Sequence, residues 1–300
     1  MIEIQGVYAA AITPRSQHGE LDFGAAFELI DFLCKGGVNG IALCSEVGEF
    51  AALSTEERSR LALLAVKRSR VPVLVGVGSA SLEGSLTLAR EARRAGAAGL
   101  LLPPPHFFSY DQDDLREFYL QFAAQLGGGV PVFLARLPAP CTQLHTSTVL
   151  DLLSTGRFAG VEETGDGDSV LHLRAERQGQ PWRILASEDV TLVAARRAGA
   201  HGAISAAACA VPELVTALDC AIRSQNQLAV EQLEAMLQEF LLWVNQFPQP
   251  AVLKVATGLR SLKTGPLAVP LSPEKQRRMD QFRAWFSAWL PGAKKLTANG

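Results

Sequence analysis

The sequence predicts a (β/α)8 barrel, also called a TIM barrel, followed by a helical appendage. Short apolar runs alternate with stretches whose apolar residues recur at helical spacing. Eight such pairs fit within residues 1–225, and this alternation is typical of a parallel sheet covered by helices. Residues 226–300 contain helical patterns only. We therefore expect a closed barrel over 1–225 and a helical appendage over 226–300.

Capping residues indicate where individual helices begin. Asp22 is placed to cap the first helix, and Ser54 with Glu57 has the spacing of a capping box before the second helix. In the appendage we expect a frayed tail after Pro291 and helices over 228–244, 251–262 and 273–290. A doubly wound open sheet is the alternative fold, weakened because no strand is followed by a Gly-x-Gly-x-x-Gly turn.

The composition narrows the class of protein. Hydrophobic residues make up 48% of the chain and charged residues 19%, which is ordinary for a globular protein. A net charge of −2 gives no electrostatic reason to expect nucleic acid or an anionic membrane as a partner. No apolar run approaches the roughly 20 residues of a membrane span, and no signal peptide is evident. The five cysteines lack a Cys-x-x-Cys pair, so we expect a reduced, cytoplasmic protein without structural zinc.

Several motifs then occur in a specific order along the chain. Ala11-Ile12-Thr13-Pro14 precedes the first helix, and Gly48-Glu49 followed by Leu53-Ser54-Thr55-Glu56-Glu57-Arg58 comes after the second strand. Pro250 and Lys254 form a Pro-x-x-x-Lys pattern in the appendage. In this combination, from about residue 6 to 262, the chain resembles the dihydrodipicolinate synthase and N-acetylneuraminate lyase family. The resemblance implies a (β/α)8 barrel that assembles as a homodimer or homotetramer.

The resemblance also implies a chemistry. Members of this family carry a lysine at the end of the sixth strand, which forms a Schiff base with pyruvate or a related 2-oxo acid. The iminium then acts as an electron sink for a neighbouring carbanion. A tyrosine at the end of the fifth strand moves protons, and hydroxyl residues after the second strand hold the carboxylate of the oxo acid.

This chain departs from the family pattern at each of those places. Glu162, in Gly160-Val161-Glu162-Glu163, stands where the lysine is expected, and Ala135 stands where the tyrosine is expected. Glu46 and Val47 replace the two hydroxyl residues, and Pro140 takes the place of an arginine that synthases carry. A carboxylate cannot form an imine, and no other lysine maps to the carboxyl ends of the strands. We therefore expect a small-molecule-binding pseudoenzyme that is not a competent Schiff-base aldolase.

The expected site lies at the carboxyl ends of the strands, where barrels of this fold carry their active sites. Strand alternation allows only one of Glu162 and Glu163 to point inward, and the resemblance indicates Glu162, the candidate general base. The residues that we expect to contact a ligand are Ser45, Glu46, Val47, His106, Ala135, Arg136, Glu188 and Ser205.

Three chemical interpretations of this site stay open. Glu46 and Glu162 are candidate ligands for a divalent cation that polarises a carbonyl group. Alternatively, Glu162 is a general base in a lyase acting on an oxo-acid-like substrate, with its pKa raised by neighbouring carboxylates. In the third interpretation the pocket binds a small ligand, such as a cation, without catalysis. No organic cofactor is expected.

Structural interpretations of the same residues stand beside the chemical ones. Glu162 can form an ion pair with Arg136 that fills an inactive pocket. Glu188 and Asp189 can cap the following helix, and Glu49 can cap backbone N–H groups. Phe107 stands where synthases carry a second tyrosine, and with Phe108 it is a candidate for a contact between subunits.

Overall fold

Eight parallel strands close into the barrel that the sequence predicts. The structure is a computed structural model and describes residues 4–136 and 142–298. The strands are hydrogen-bonded in chain order, and β1 pairs with β8 to close the sheet. In order, β1 to β8 are Gly6–Ala10, Gly40–Leu43, Val73–Gly76, Gly99–Leu102, Val132–Ala135, Gly160–Glu163, Arg183–Ala186 and Gly202–Ser205.

A helix follows each strand and covers the outside of the barrel. The Asp22 side chain accepts a hydrogen bond from Ala25 N at 2.9 Å, which confirms the predicted cap. Ser54 and Glu57 form the predicted capping box, with bonds of 3.1 and 2.8 Å. In order, α1 to α8 are Phe23–Lys35, Thr55–Arg68, Leu82–Ala95, Gln112–Leu126, Thr146–Ser154, Gly167–Arg177, Leu192–Ala198 and Pro212–Arg223.

Three further helices form the appendage: α9 (Gln227–Val244), α10 (Ala251–Gly258) and α11 (Pro273–Ala298). The expected frayed tail after Pro291 is wrong, because α11 continues through this proline to Ala298. Proline removes one helical hydrogen bond, but burial of side chains on both sides of it keeps the helix in place. Those buried side chains are Met279, Phe282, Phe286, Trp289 and Ala293.

The strands are almost entirely buried, as expected of a parallel sheet that packs against helices on one side and against its own side chains on the other. One apolar core includes side chains from both the barrel and the appendage. Across residues 4–136 and 142–298, every helix is too short or too polar to cross a bilayer.

Candidate functional site

Glu162 lies near the carboxyl end of β6, and its side chain faces the interior of the barrel. Gly160 allows this strand to lie close to β7, since a Cβ atom there would come within 2.1 Å of the Arg183 carbonyl oxygen. Glu162 lies beside Ala135 of β5 and Leu185 of β7 in the sheet. Its side chain is only 6% exposed and lines a small cavity at the carboxyl ends of the strands.

The cavity beneath the mouth of the barrel has a volume of about 20 Å³, which is enough for about one water molecule. Ser45, Glu46, Ala135 and Glu162 line it together with Cys44, Phe50, Gly78, Leu101 and Pro103. The buried Ser45 hydroxyl has no hydrogen-bond partner among the described residues. Four of the residues expected from the sequence to contact a ligand or act on it therefore meet around one space.

The carboxyl group of Glu162 is held in an environment that disfavours its charge. Burial and, to a smaller extent, electrostatic repulsion from Glu46 raise its pKa to about 7. A hydrogen bond with the Ser187 side chain opposes the shift without cancelling it. Near neutral pH this carboxyl group is therefore divided between its protonated and ionised forms.

Two more carboxylates stand at the exposed rim of the mouth. Glu46 is open to solvent on one side, yet partial loss of hydration raises its pKa, and repulsion from Glu188 raises it further. Burial also raises the pKa of Glu188, against a hydrogen bond from the Val190 backbone. Within the described parts of the chain, no lysine or arginine contributes to the pKa shifts of Glu46, Glu162 or Glu188.

The expected ion pair between Arg136 and Glu162 is wrong. Arg136 Nη1 instead donates to both carboxylate oxygens of Glu163, at 3.0 and 2.7 Å. Glu163 is buried and also accepts a hydrogen bond from Gly165 N at 2.8 Å. The reason is the strand register: Ala135 lies beside Glu162, so Arg136 comes next to Glu163, on the opposite side of the sheet.

Asp189 and Ser205 form a buried bridge between the ends of β7 and β8. The Ser205 hydroxyl donates to Asp189 at 2.5 Å, and Ala207 N donates to the other carboxylate oxygen at 2.7 Å. Burial raises the pKa of Asp189 to about 6, although these bonds oppose the shift. Ser205, expected to contact a ligand, is thus occupied by a structural bond.

The predicted helix-capping role of Glu188 and Asp189 is wrong. Neither side chain caps α7, because the chain first passes through a short 3-10 turn over Asp189–Thr191, where Glu188 accepts a hydrogen bond from the Val190 backbone. That turn buries Asp189 against Ser205 and leaves Glu188 at the exposed rim.

His106 and Val47 lie around the small cavity without lining it. The His106 ring packs edge-on against Phe50, with ring centroids 5.5 Å apart, and its buried Nδ1 has no partner among the described residues. Burial lowers the pKa of His106, and the Arg58 guanidinium lowers it further. Val47 is a buried apolar residue of the loop after β2.

Sequence reasoning missed the structural role of Arg58. Its buried guanidinium donates to the carbonyl oxygens of Gly76 and Gly78, at 2.9 and 2.7 Å, and lies 5.2 Å from the ring centroid of Phe50. The signal was present, since Arg58 falls on the same helical face as the buried residues Leu61 and Ala65.

Lys254 reaches the loop after β2, so the expectation that no lysine comes near this region is wrong. Its ammonium lies 2.6 Å from Glu49 Oε2 and donates to the Pro266 carbonyl at 2.9 Å. The other Glu49 oxygen accepts a hydrogen bond from Ala268 N at 2.9 Å, which confirms the predicted capping role of Glu49. Lys254 is only 2% exposed, so this ion pair fastens the appendage to the barrel loop.

One of the three chemical interpretations places metal ligands at the mouth. Across residues 4–136 and 142–298, no three His, Cys, Asp or Glu side chains are arranged to hold a metal ion. The pair of Glu46 and Glu162 therefore lacks a third protein ligand of these types within the described residues. Pro140 and Cys141 lie outside those residues.

A parallel barrel with ionisable side chains gathered at the carboxyl ends of its strands has the architecture of barrel enzymes and of proteins descended from them. The chain belongs to the dihydrodipicolinate synthetase family, whose sequence profile matches residues 3–288. A 4-hydroxy-tetrahydrodipicolinate synthase from Methanoculleus marisnigri is 27% identical over 285 residues, which cover 93% of this chain and 97% of that protein.

Solved structures of related proteins have the same fold. YagE, a prophage protein of the dihydrodipicolinic acid synthase family from E. coli K12 in complex with pyruvate, has a TM-score of 0.88 at 25% identity. That match covers 96% of this chain and 99% of YagE. The sialic acid aldolase of Ruminococcus gnavus also has a TM-score of 0.88, over 97% of this chain and 98% of that one. At 19% identity this second likeness concerns the fold alone.

Proposed function

We propose that this protein binds a small protonated amine at the mouth of the barrel and does not carry out Schiff-base chemistry. The observation that carries the proposal is the inward-facing, buried Glu162 beneath the rim carboxylates Glu46 and Glu188. Arg136, which directly follows the neighbouring strand β5, pairs with Glu163 on the other side of the sheet.

The loss of Schiff-base chemistry follows from the residue types at the mouth. The resemblance to the family puts Glu162 at the lysine position, and a carboxyl group cannot condense with a 2-oxo acid. Lys254 is held by Glu49 and by the Pro266 carbonyl, so its ammonium is not free to act as a nucleophile. Three carboxylates would also repel the carboxylate of an oxo acid.

The preference for a cation follows from the lack of a counter-charge for Glu162 among the described residues. An ionised carboxyl group buried without a cation is unfavourable, so Glu162 responds with a raised pKa. A bound ammonium group would supply the counter-charge and bring the pKa of Glu162 down. Binding should therefore release a proton near pH 7 and become tighter as the pH rises through this range.

A thermal-shift screen with amines, pyruvate and magnesium tests the proposal. Propylamine at about 100-fold its Kd should raise the melting temperature by about 5 °C or more. Glu162→Gln should abolish this shift, while the matched control Glu83→Gln, at an exposed surface pair, should keep it. A shift with pyruvate, followed by covalent trapping with borohydride, would show that the proposal is wrong. A chelator-sensitive shift with magnesium would instead favour the site formed by Glu46 and Glu162.

A second candidate function is catalysis with Glu162 as general base. The observation that favours it is the buried carboxyl group of Glu162 facing the cavity. Burial raises its pKa to about 7, and a general base works best when its pKa lies near the operating pH. In this case the bound amine would be converted to a product detectable by mass spectrometry. The rate should rise with pH through about 7, resist chelators and disappear in Glu162→Gln.

We also propose that the protein assembles at least as a dimer through Phe107 and Phe108. These aromatic residues after β4 are 86% and 60% exposed and contact each other edge-to-face, with centroids 5.1 Å apart. Large exposed apolar groups of this kind are typical of contact surfaces. Light scattering at micromolar concentration should give a mass at least twice 32.1 kDa, and the double variant Phe107→Ser, Phe108→Ser should reduce it. A monomeric wild-type protein would rule out this assembly.

A further inference from the structure

A cleft of about 600 Å³ lies beside the mouth, between the loop after β2 and the appendage. Its volume falls within the range of small-molecule sites. Ala51 and Ala52 form one wall, and Pro248, Pro250, Leu267 and Leu271 contribute much of the other. Val269 also lines the cleft and is 75% exposed, so apolar surface here is open to water.

The cleft and the small cavity share two residues. Glu46 and Phe50 line both spaces, so they stand between the cleft and the side of the cavity that Glu162 lines. The cavity itself has room for about one water molecule. Any ligand larger than water that reaches Glu46 must therefore place most of its atoms outside the cavity.

The charges around the cleft are unevenly compensated. Glu49 lines the cleft, but Lys254 and Ala268 N already neutralise and bind its carboxylate. Among the described residues, no cation attracts Glu46 in this way, and repulsion from Glu188 raises its pKa. Lys275, in the first turn of α11, also borders the cleft and is exposed. The cleft thus combines the carboxylate of Glu46 with mainly apolar walls, and the exposed Lys275 stands at its border.

We infer that the ligand is an amine with an apolar body of several carbon atoms, whose ammonium contacts Glu46 and whose body lies in the cleft. This inference rests on the proposed function, because it takes the carboxylates at the mouth as the site of the ammonium group. It adds the class of ligand: a long primary amine in preference to methylamine or to a compact dicarboxylate.

Calorimetry with a series of primary amines, from methylamine to hexylamine, tests the apolar part of the site. Burial of each added methylene should tighten binding about fourfold while the chain still fits the cleft. Hexanoate, which has the same length and the opposite charge, should not bind. The matched pair separates the contribution of the charge from that of the apolar surface.

Two variants test whether the apolar body of the amine lies in the cleft. Ala51→Trp fills the cleft from an exposed position and should bring the affinity for hexylamine close to that for methylamine. Val269→Asn makes the opposite wall polar and should weaken only the longer amines; it serves as a second test if the tryptophan variant fails to fold. Ala175→Trp, at an exposed position near the end of α6, is the matched control and should bind like the wild type.

Failure of this inference can be distinguished from failure of the proposed function. If no amine of any length binds, both are wrong. If amines bind in a manner that depends on Glu162 but not on chain length, or if Ala51→Trp leaves the length dependence intact, the cleft assignment alone is wrong. A change in oligomeric mass on Ala51→Trp, measured by light scattering, would instead identify the cleft as a subunit contact and overturn the inference.

Discussion

The two ends of the barrel carry opposite excess charges and accommodate them in different ways. At the carboxyl ends of the strands, Glu46 and Glu188 stand at the rim above the buried Glu162. At the amino ends, His201 lies immediately before β8, and its Nε2 is 2.8 Å from Arg177 Nη1. Its other ring nitrogen, Nδ1, is 3.1 Å from Ile184 N, so donors face both nitrogens.

The difference lies in how the like charges are compensated. At the amino ends, Arg196 forms a buried ion pair with Asp219 at 2.7 Å, and Arg223 shares the same carboxylate at 3.0 Å. At the carboxyl ends, Glu46 and Glu162 border a small cavity, and no lysine or arginine among the described residues lowers their pKa. In this fold, residues at the amino ends of the strands generally contribute to stability, and residues at the carboxyl ends contribute to function. The charges at the amino ends are thus compensated within the chain, as in a structural network. Those at the carboxyl ends are not compensated in this way, as we expect of a ligand site.

The largest expected effect on the free energy of unfolding comes from removing Asp219, the carboxylate that compensates the arginines at the amino ends. Asp219→Asn keeps the shape of the side chain but leaves Arg196, which is 7% exposed, without a counter-charge. We expect destabilisation by about 3–5 kcal/mol, as found when one partner of a buried ion pair is removed. Urea unfolding at pH 7.5 measures this effect. Asp151→Asn, in the exposed pair with Arg116, is the control and should cost less than about 1 kcal/mol. Equal effects of the two variants would contradict the contrast between the ends.

A carboxylate-to-amide substitution at the mouth should instead raise the free energy of unfolding. Burial and repulsion from Glu46 raise the pKa of Glu162 from 4.5 to about 7. The folded state therefore binds more protons than the unfolded state between these pH values, and stability falls as the pH rises through this window. Glu162→Gln removes this penalty and should stabilise the protein by up to about 3 kcal/mol above pH 7.

Unfolding curves at pH 5 and pH 8 measure the pH dependence of this stabilisation. The advantage of Glu162→Gln over the wild type should be small at pH 5 and near its maximum at pH 8. Glu83→Gln, at an exposed pair with Arg90, should show no comparable change between the two pH values. Destabilisation of Glu162→Gln at pH 8 would mean that the ionised carboxylate has an attractive partner, and the proposed cation site would lose its basis.

Local signals in the sequence were sufficient to predict the fold. Apolar periodicity predicted the eight strand and helix pairs, and short-range caps at Asp22 and Ser54 marked two helix starts. Alternation along a single strand also separated the sides of the sheet to which Glu162 and Glu163 point. Each of these inferences depends on residues that are close together in the chain.

The errors at the candidate site mainly concern contacts between distant segments. The partner of Arg136 depends on the register between β5 and β6, which periodicity within one strand does not fix. The contact of Lys254 with Glu49 depends on how the appendage packs back onto the barrel. The burial of Asp189 likewise depends on the end of the neighbouring strand, where Ser205 and Ala207 bind its carboxylate. Sequence patterns predicted the element or loop to which each of these residues belongs but not the partner that its side chain contacts.

The smallest expected effect on stability comes from the titration of His201. Its pH dependence should be opposite to that caused by Glu162. Burial, together with the positive charges of Arg177 and Arg183, lowers the pKa of His201 to about 4. The unfolded state, with a histidine pKa near 6.5, then binds more protons than the folded state. Stability should therefore fall as the pH drops from about 6.5 to about 4. Because His201 is partly open to solvent, we expect screening to limit the change to about 1 kcal/mol.

Histidine-selective NMR measures this titration directly. The His201 ring should stay neutral at pH 6 in the folded protein and titrate near pH 6.5 in urea. Arg177→Gln removes one of the repelling charges and should raise the pKa of His201, whereas Glu162→Gln at the opposite end should leave it unchanged. A folded-state pKa near 6.5 would remove the excess of positive charge at the amino ends. The contrast would then reduce to the carboxylates of the mouth alone, for which the proposed ligand supplies a cation from outside the chain.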